Sequence, residues 1–460
     1  MRVLRSRPFP GLIFFQLFSF QRFGFFYTMP APRSLDYRTT AKIRARLLPF
    51  LFVLYVVAFL DRINIGFAAL TMNKDLAISS QQFGLLVGIF FFGYFLFEIP
   101  SNLILHRVGA RVWLARILIS WGAVAMATGF VQSVSQLYSA RFLLGLAEAG
   151  FFPGVVLYLT YWFPRREQAR AIALFMAAQP ITSILGAPVS GFILDHVHWL
   201  GLASWRWLLI LEAAPAFLFG LLTYLYLPSR PAEASFLTAA EKDQLAAALE
   251  SERFERDRHQ PISLGHTFAN KRVWMLAAIG FAHAIGIYTL NFWMPQEIKS
   301  LSDRYSNTFV GLLVAIPYLV ALVGMLLVSR SSDRREERKY HAAIPLLVGA
   351  AGFLALTLFR SPFAVVFLFS LVAFGAYGFF GPFYSSPGEF LSGSSAAAGI
   401  ALITSISNLG GFAGPYAVGL ISRQTGNLAG GFGVAGVALL VSAGLFLFLP
   451  LGPRRAVASD

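Results

Sequence analysis

The sequence contains no cysteine among its 460 residues, which excludes disulfide bonds, thiolate chemistry and cysteine-based metal sites. Charged residues are also scarce. They make up 13% of the chain, whereas about a quarter of the residues in a soluble protein are charged. Hydrophobic residues reach 57%, and the mean hydropathy is +0.65. These values indicate a membrane protein.

Several functional motifs are missing as well. The chain has no phosphate-binding loop of the GxxxxGK type, which argues against an ATP-driven pump. The sequence shows neither a cluster of metal-ligating residues nor a nucleophile with a neighbouring base, so we expect no enzyme activity, no metal and no cofactor. The net charge of +15 raises nucleic acid as a partner, but Lys and Arg lie in short gaps between apolar runs, as topology signals do. We therefore expect a lipid bilayer and no nucleic acid.

Long apolar runs dominate the sequence from Leu47 onward, and each is close to the roughly 20 residues that a membrane-spanning helix needs. They predict an all-α polytopic membrane protein with twelve transmembrane helices in two pseudo-symmetric six-helix bundles. The runs lie at 47–70, 83–105, 112–131, 137–162, 169–194, 206–227, 273–296, 308–329, 341–359, 362–386, 396–421 and 430–451.

A charged stretch between the sixth and seventh runs divides the chain into two halves. The predicted domains are an N-terminal segment, an N-terminal bundle, a central loop, a C-terminal bundle and a tail, at 1–46, 47–227, 228–272, 273–451 and 452–460. Residues 1–28 are basic and then Phe-rich, and we interpret them as an extension foreign to the native protein that precedes a true start at Met29. The alternative is a short interfacial anchor.

Alternate loops carry most of the Lys and Arg residues, and this bias predicts the orientation. Both termini and the central loop are expected to be cytoplasmic, in a multi-pass protein of the cell membrane. The two halves also resemble each other: the pattern of 171–193 recurs at 399–421, with a Gly- and Pro-containing middle in each copy. Duplicated halves that enclose a midplane site are typical of secondary transporters.

The ionisable residues within the apolar runs include two pairs. Arg141 and Glu148 are seven residues apart and share one helix face, and one ionised group at mid-bilayer costs roughly 2.5–3.5 kcal/mol. We therefore expect this pair to face an enclosed cavity. Asp61 and Arg62 are neighbours in the first run and point about 100° apart on a helix, so they cannot both face one partner. A buried structural ion pair is the alternative to a functional role.

Polar side chains also fall near one membrane depth, which suggests a substrate site, although each could instead bond a neighbouring helix. They are Tyr94, Gln179 and Asn408, and Asn291 in the seventh run could line the same cavity. His283 in the seventh run titrates in the physiological range and is a candidate proton relay, although a lone histidine on an apolar helix is more often structural. Glu212 in the sixth run is interpreted as peripheral.

The sequence resembles the major facilitator superfamily, and within it the anion:cation symporter branch of proton-coupled carriers of tartrate, phthalate and sugar acids. The resemblance covers about 47–451 and depends on several motifs together. They are FLDRIN at 59–64, FGYFLFEIPSN at 92–102, RFLLGLAEAGFFP at 141–153, YWFP at 161–164, FWMP at 292–295, SDR at 332–334 and SISNLGG at 405–411.

The resemblance implies specific roles for these residues. The family's proton-exchanging acids match Asp61 and Glu148, and the arginines that handle anionic charge match Arg62 and Arg141. The family's cavity-lining positions match Tyr94, Gln179 and Asn408. Two positions depart from the pattern: His106 replaces an acid in the loop between the second and third runs, which weakens the conformational latch expected there. Phe59 replaces a tyrosine found in some sugar-acid carriers, which weakens the case for a heavily hydroxylated substrate.

We therefore expect proton-coupled uptake of a small organic anion by alternating access, carried out by a monomer. Burial raises the proton affinity of an acid and a neighbouring arginine lowers it, so protonation of Asp61 or Glu148 can release an arginine to hold substrate. The alternatives are proton-independent exchange or facilitated diffusion, and a membrane sensor that signals through the central loop. The sequence leaves open which anion is carried, the proton stoichiometry and the choice between symport and exchange.

Overall fold

A computed structural model of the chain describes residues 37–259, 269–391 and 393–451. The described residues form α-helices joined by short loops, with three single 3-10 turns at Trp199–Gly201, Pro231–Glu233 and Ser386–Glu389. The helices are α1 (Tyr37–Asp75), α2 (Ser80–Val108), α3 (Ala110–Thr128), α4 (Val134–Glu148), α5 (Phe151–Thr160), α6 (Arg165–Met176), α7 (Ala178–His196), α8 (Ser204–Tyr226), α9 (Ala239–His259), α10 (Lys271–Ser300), α11 (Asn307–Arg335), α12 (Lys339–Ala355), α13 (Pro362–Gly378), α14 (Phe380–Ser385), α15 (Gly393–Thr425) and α16 (Ala429–Phe448).

Nine helical segments in the described part of the chain are long and apolar enough to cross a membrane, and α12 is a shorter apolar helix. Each of the twelve apolar runs falls on one helix or on a consecutive pair, the pairs being α4–α5, α6–α7 and α13–α14. The expectation of an all-α polytopic protein is therefore confirmed. The suggested extension at 1–28 and the tail at 452–460 lie outside the described residues, and the domain limits stay a prediction.

The break between α4 and α5 follows from local sequence. Gly150 adopts φ +87°, a left-handed conformation that strains residues with a side chain, and a Cβ there would lie 2.3 Å from the Ser101 hydroxyl oxygen. Pro153 occupies the first turn of α5, where its missing N–H leaves no bond unmade. The break ends α4 at Glu148, in the interior of the N-terminal bundle.

The two halves touch backbone to backbone on one side of the bundle. We call the side that carries the loops 76–79, 197–203 and 301–306 the distal side, and the side where α1 begins the proximal side. A Cβ at Gly84 of α2 would lie 2.4 Å from the Pro415 carbonyl oxygen on α15, and one at Gly311 of α11 would lie 2.2 Å from the Ala187 carbonyl oxygen on α7. Only glycine permits this approach, so the distal halves of these helices are closed against each other.

Asp195 at the end of α7 adds a polar latch to the distal closure. Its carboxylate accepts hydrogen bonds from the backbone N–H of Asn307 (3.0 Å) and Thr308 (2.7 Å) and from their side chains, at 2.8 and 2.7 Å. The carboxylate thus caps the positive N-terminus of α11 in the other half. Partial burial alone would raise the pKa of Asp195, but the bonds from Thr308 and Asn307 outweigh it and hold the pKa below its ordinary value.

We expect D195N to favour opening of the distal side by about 2 kcal/mol, a roughly 30-fold shift, because an amide cannot accept all four bonds and carries no charge for the α11 terminus. The chain lacks cysteine, so F412C in the α2–α15 contact supplies a single thiol whose labelling by an impermeant maleimide reports distal opening. D303N, an exposed aspartate on the same side, is the matched control.

The pH dependence of this labelling follows from the direction in which the pKa of Asp195 is shifted. A carboxylate whose pKa is lowered in the closed state stabilises that state above its ordinary pKa and loses the effect only as pH falls through the lowered value. The ratio of D195N labelling to D303N labelling at the same pH, which cancels the pH dependence of the thiolate itself, is therefore expected to be constant between about pH 5 and pH 8. Equal labelling of D195N and D303N would show that Asp195 is not a latch.

Candidate functional site

The centre of the N-terminal bundle is organised by α4, which is pressed against α2. A Cβ at Gly145 would lie 2.1 Å from the Phe90 carbonyl oxygen, so this position has no room for a side chain. The close approach carries Arg141 and Glu148 of α4 into the interior, where they are 2% and 0% exposed. The helical spacing of seven residues does place both on one buried face of α4.

Glu148 forms an ion pair with Arg62 of α1, in which Arg62 Nη2 donates to Glu148 Oε1. The other oxygen, Glu148 Oε2, has no hydrogen-bond partner among the described residues. The guanidinium carbon of Arg62 lies 5.5 Å from the Tyr94 ring centroid and 5.6 Å from that of Phe90. Arg62 is thus held between one carboxylate and two aromatic faces, which both favour the cation.

Asp61 points away from its neighbour Arg62, as the rotation of a helix requires. Trp121 of α3 donates its indole N–H to Asp61 Oδ2 at 2.5 Å, and Asn64 Nδ2 donates to Oδ1 at 3.2 Å. Arg141 supplies the nearby positive charge, without a direct hydrogen bond among the described contacts. The two consecutive charges therefore have separate partners on α3 and α4.

Arg141 is a buried cation with unused hydrogen-bonding capacity at two of its nitrogens. Its guanidinium carbon lies 5.1 Å from the Phe90 ring centroid, and Nε and Nη2 have no partner among the described residues. Asp61 and Glu148 both act on it electrostatically. A buried guanidinium with two free N–H groups can receive a carboxylate in the bidentate geometry that arginine favours.

The C-terminal half contributes aromatic groups to the same place. Tyr288 of α10 faces the Arg62 guanidinium, and its ring lies 4.3 Å from that of Phe91 on α2. Asn291, one turn further along α10, accepts a hydrogen bond from the Tyr318 hydroxyl at 2.8 Å and lies 3.5 Å from that of Tyr377. Asn291 is therefore engaged within the C-terminal half, while Tyr288 reaches the charged residues of the other half.

The other two amides predicted to line the cavity, Gln179 and Asn408, contact different partners. Gln179 donates to the Tyr55 hydroxyl at 2.5 Å, and the Tyr55 ring is stacked on Phe175 at 4.1 Å. Asn408 of α15 interacts with the Glu98 carboxyl of α2, which also accepts a hydrogen bond from Ser405 at 3.0 Å. The Glu98 contacts join the two halves, a link that the sequence alone did not indicate.

His283 is placed away from the charged residues, inside the C-terminal bundle. Its Nε2–H donates to the Ala376 carbonyl oxygen at 2.8 Å, and its ring is packed against Phe379 and Phe380 at 4.4 and 5.4 Å. The hydrogen bond and the ring contacts are those expected of a histidine with a structural role. Among the described contacts, His283 has no charged neighbour with which to exchange a proton. Its role as a proton relay stays a prediction.

Two functional candidates were missed or misplaced by sequence reasoning. Glu212 of α8, interpreted as peripheral, is 3% exposed and accepts a hydrogen bond from Ser190 at 2.6 Å. The interpretation was wrong because the sequence does not give the rotation of α8 about its axis. Trp121 was missed because tryptophan is common in membrane helices, and only the fold brings its N–H to Asp61.

We expect W121F to lower the stability of the protein by about 1–3 kcal/mol, because it leaves one oxygen of buried Asp61 without its donor. The loss should grow as pH rises, since an ionised carboxylate needs the donor more than a neutral acid does. Thermal unfolding in detergent at several pH values measures this. W113F, which removes a bond to the neutral Ser101 hydroxyl at 2.9 Å, is the control with a pH-independent loss. Parallel pH profiles for the two variants would contradict an ionised Asp61.

Comparisons with known proteins agree with this architecture. The chain matches the family model of the Major Facilitator Superfamily over residues 51–415 and 299–459. It is 46% identical to a "Putative tartrate transporter" of Agrobacterium vitis over 90% of this chain and 95% of the relative. It is 44% identical to the "Putative metabolite transport protein NicT" of Pseudomonas putida over 90% and 96%, respectively.

Among solved structures, the chain is similar to an inward-facing, occupied bacterial homolog of the human lysosomal transporter Spinster. The TM-score is 0.71, with 18% identity, and the similarity covers 90% of this chain and 99% of that one. At this identity the likeness shows the fold, and it confirms the expectation of two six-helix bundles. The chain is a multi-pass membrane protein that belongs to the Major Facilitator Superfamily of transporters, and it is not an enzyme.

Proposed function

We propose that this transporter is a proton-coupled symporter of a small organic anion, of the anion:cation symporter branch. It would work in the cell membrane as a monomer, with cytoplasmic termini. The observation that carries the proposal is the buried Arg141 guanidinium with two unpaired N–H groups, beside the ion pair of Arg62 and Glu148. A substrate carboxylate satisfies those groups and balances their charge.

Proton coupling follows from competition for Arg62. While Glu148 is ionised it holds Arg62, and a carboxylate from the substrate would meet a cation that is already neutralised. Protonation of Glu148 removes the charge that holds the pair, and Arg62 can then turn to the substrate with Arg141. Release of the proton restores the pair and displaces the anion. Arg62 thus binds either Glu148 or substrate, which couples the two movements.

The contact between the halves supports alternating access around this site. A Cβ at Gly66 on α1, one turn after Arg62, would lie 3.2 Å from the Asn291 carbonyl oxygen on α10. Arg62 and Tyr288 are therefore brought together by a contact that must change if the halves rock apart. With the distal side closed by α2–α15 and α7–α11, alternating access requires these contacts to separate in another conformation.

The name of one relative supports a carboxylate as substrate. One is named for tartrate and another for a metabolite, and tartrate carries two carboxylates. Two arginines in one site, each able to bind a carboxylate, suit a small organic acid of this kind. Proton-independent exchange remains the second candidate, and it is favoured only if Glu148 does not have to change its protonation during the cycle.

We expect E148Q to abolish proton-driven accumulation of substrate while sparing exchange of internal for external substrate. Glutamine mimics the protonated acid, so it leaves Arg62 free to bind but cannot take up or release a proton. Uptake by proteoliposomes is measured with an imposed pH gradient, and again with substrate on both sides. E297Q, which breaks the ion pair of the buried Glu297 with the exposed Arg360 away from the site, is the matched control. Accumulation by E148Q at the wild-type level would refute the coupling role.

We expect R141K to weaken binding of the organic anion by about 10- to 100-fold, because lysine keeps the charge but loses the planar fork that makes two charge-assisted bonds. Purified protein is titrated with tartrate and with a panel of mono- and dicarboxylates, and binding is read as a rise in melting temperature. R116K, on α3 over the Trp113 ring, is the control with unchanged affinity. An unchanged affinity in R141K would remove Arg141 from the substrate site.

A further inference from the structure

Glu212 is a buried carboxyl that the coupling mechanism above does not use. It lies on α8 and is 3% exposed, and its Oε1 accepts a hydrogen bond from the Ser190 hydroxyl of α7 at 2.6 Å. Its Oε2 has no hydrogen-bond partner among the described residues. An ionised carboxylate in such a place needs a cation or several donors, and without them its burial is strongly unfavourable.

No arginine of the surrounding helices forms an ion pair with Glu212 among the described residues. Arg62 on α1 is paired with Glu148, and Arg141 on α4 lies with Asp61 and Glu148. Arg116 on α3 and Arg206 on α8 lie over tryptophan rings, those of Trp113 and Trp205, at 4.3 Å each. The charged group that acts on Glu212 from the helices packed against α8 is instead an anion, Asp61.

Asn64 connects the two acids. Its Nδ2 donates to Asp61 Oδ1 at 3.2 Å, and its amide also interacts with the Glu212 carboxyl. Asn64 Oδ1 and Glu212 Oε2 are both buried acceptors without a donor among the described residues. A hydrogen atom on Glu212 Oε2 supplies the donor that this group of acceptors lacks, and it removes the repulsion between Glu212 and Asp61.

We propose that Glu212 is a second proton-binding acid, neutral in this conformation and linked to Asp61 through Asn64. It forms a site separate from the pair of Arg62 and Glu148. Asp61 and Glu148 balance the two arginines, whereas Glu212 stays without a counter-charge and therefore holds a proton. Use of this proton in the transport cycle rests on the proposed symport. The presence of the proton on Glu212 is independent of that proposal.

Infrared spectroscopy of the purified protein at neutral pH, without substrate, tests the proposal directly. The spectrum of E212Q subtracted from that of the wild type should show a protonated-carboxyl C=O band, because glutamine has no such group. The same subtraction with E148Q should show carboxylate bands only, because the contact with the Arg62 guanidinium favours the ionised form of Glu148. Absence of the protonated-carboxyl band from the E212Q difference would overturn the proposal.

A second variant keeps the test decisive if E212Q does not fold. S190A removes the hydroxyl that donates to Oε1, and a neutral acid that loses this bond shifts its C=O band to higher frequency. An unshifted band in S190A argues against a protonated Glu212. The role in transport is measured separately, as protons taken up per substrate in proteoliposomes. That ratio should fall by one in E212Q, and an unchanged ratio would remove Glu212 from the cycle, whatever the infrared result.

Discussion

The structure depends on the need to pair charges inside apolar helices. The ion pair of Arg62 and Glu148 joins α1 to α4, and the bonds to Asp61 join α1 to α3. Each of these groups would be costly alone in a low-dielectric interior. The pairs therefore fix how three helices are rotated, and any ligand that takes one partner must supply the charge that it displaces. Packing and ligand binding are thus connected through the same few side chains.

Glycine contacts set the geometry within which that exchange takes place. Gly145 allows α4 to touch α2, and this contact places Arg141 above the Phe90 ring. On the distal side, Gly84 and Gly311 allow the backbones of the two halves to come into direct contact. Contacts of this kind do not stretch gradually, because a small separation removes most of the dispersion energy. The closure is accordingly of a two-state kind, as rocking of rigid halves requires.

The sequence predicts the helices well because runs of about 20 apolar residues have few alternatives to a membrane-spanning helix. It also predicts that Arg141 and Glu148 share a face, since this depends only on helical periodicity. It does not predict that Glu148 pairs with Arg62, because that contact depends on how α1 and α4 are rotated in the bundle. Glu212 was misplaced for the same reason, because the sequence does not give the rotation of α8 about its axis. His283 illustrates the opposite case, in which a titratable residue is occupied by a backbone carbonyl and aromatic rings.

The balance of buried charge gives a reason for symport that does not depend on any single contact. Asp61 and Glu148 equal the two arginines in number, and the buried carboxyls of Glu98 and Glu212 have no ion-pair partner among the described residues. The empty site therefore carries no net charge when Glu98 and Glu212 are neutral. An anion that entered alone would leave an unbalanced negative charge in a low-dielectric cavity, which is strongly unfavourable. An accompanying proton on Glu148 restores the balance for a monocarboxylate, whereas a dicarboxylate such as tartrate calls for two. Glu212 is already neutral in the empty site, so the second balancing proton must reach Asp61. The link through Asn64 makes Glu212 the neighbouring acid that can donate this proton and then be reprotonated.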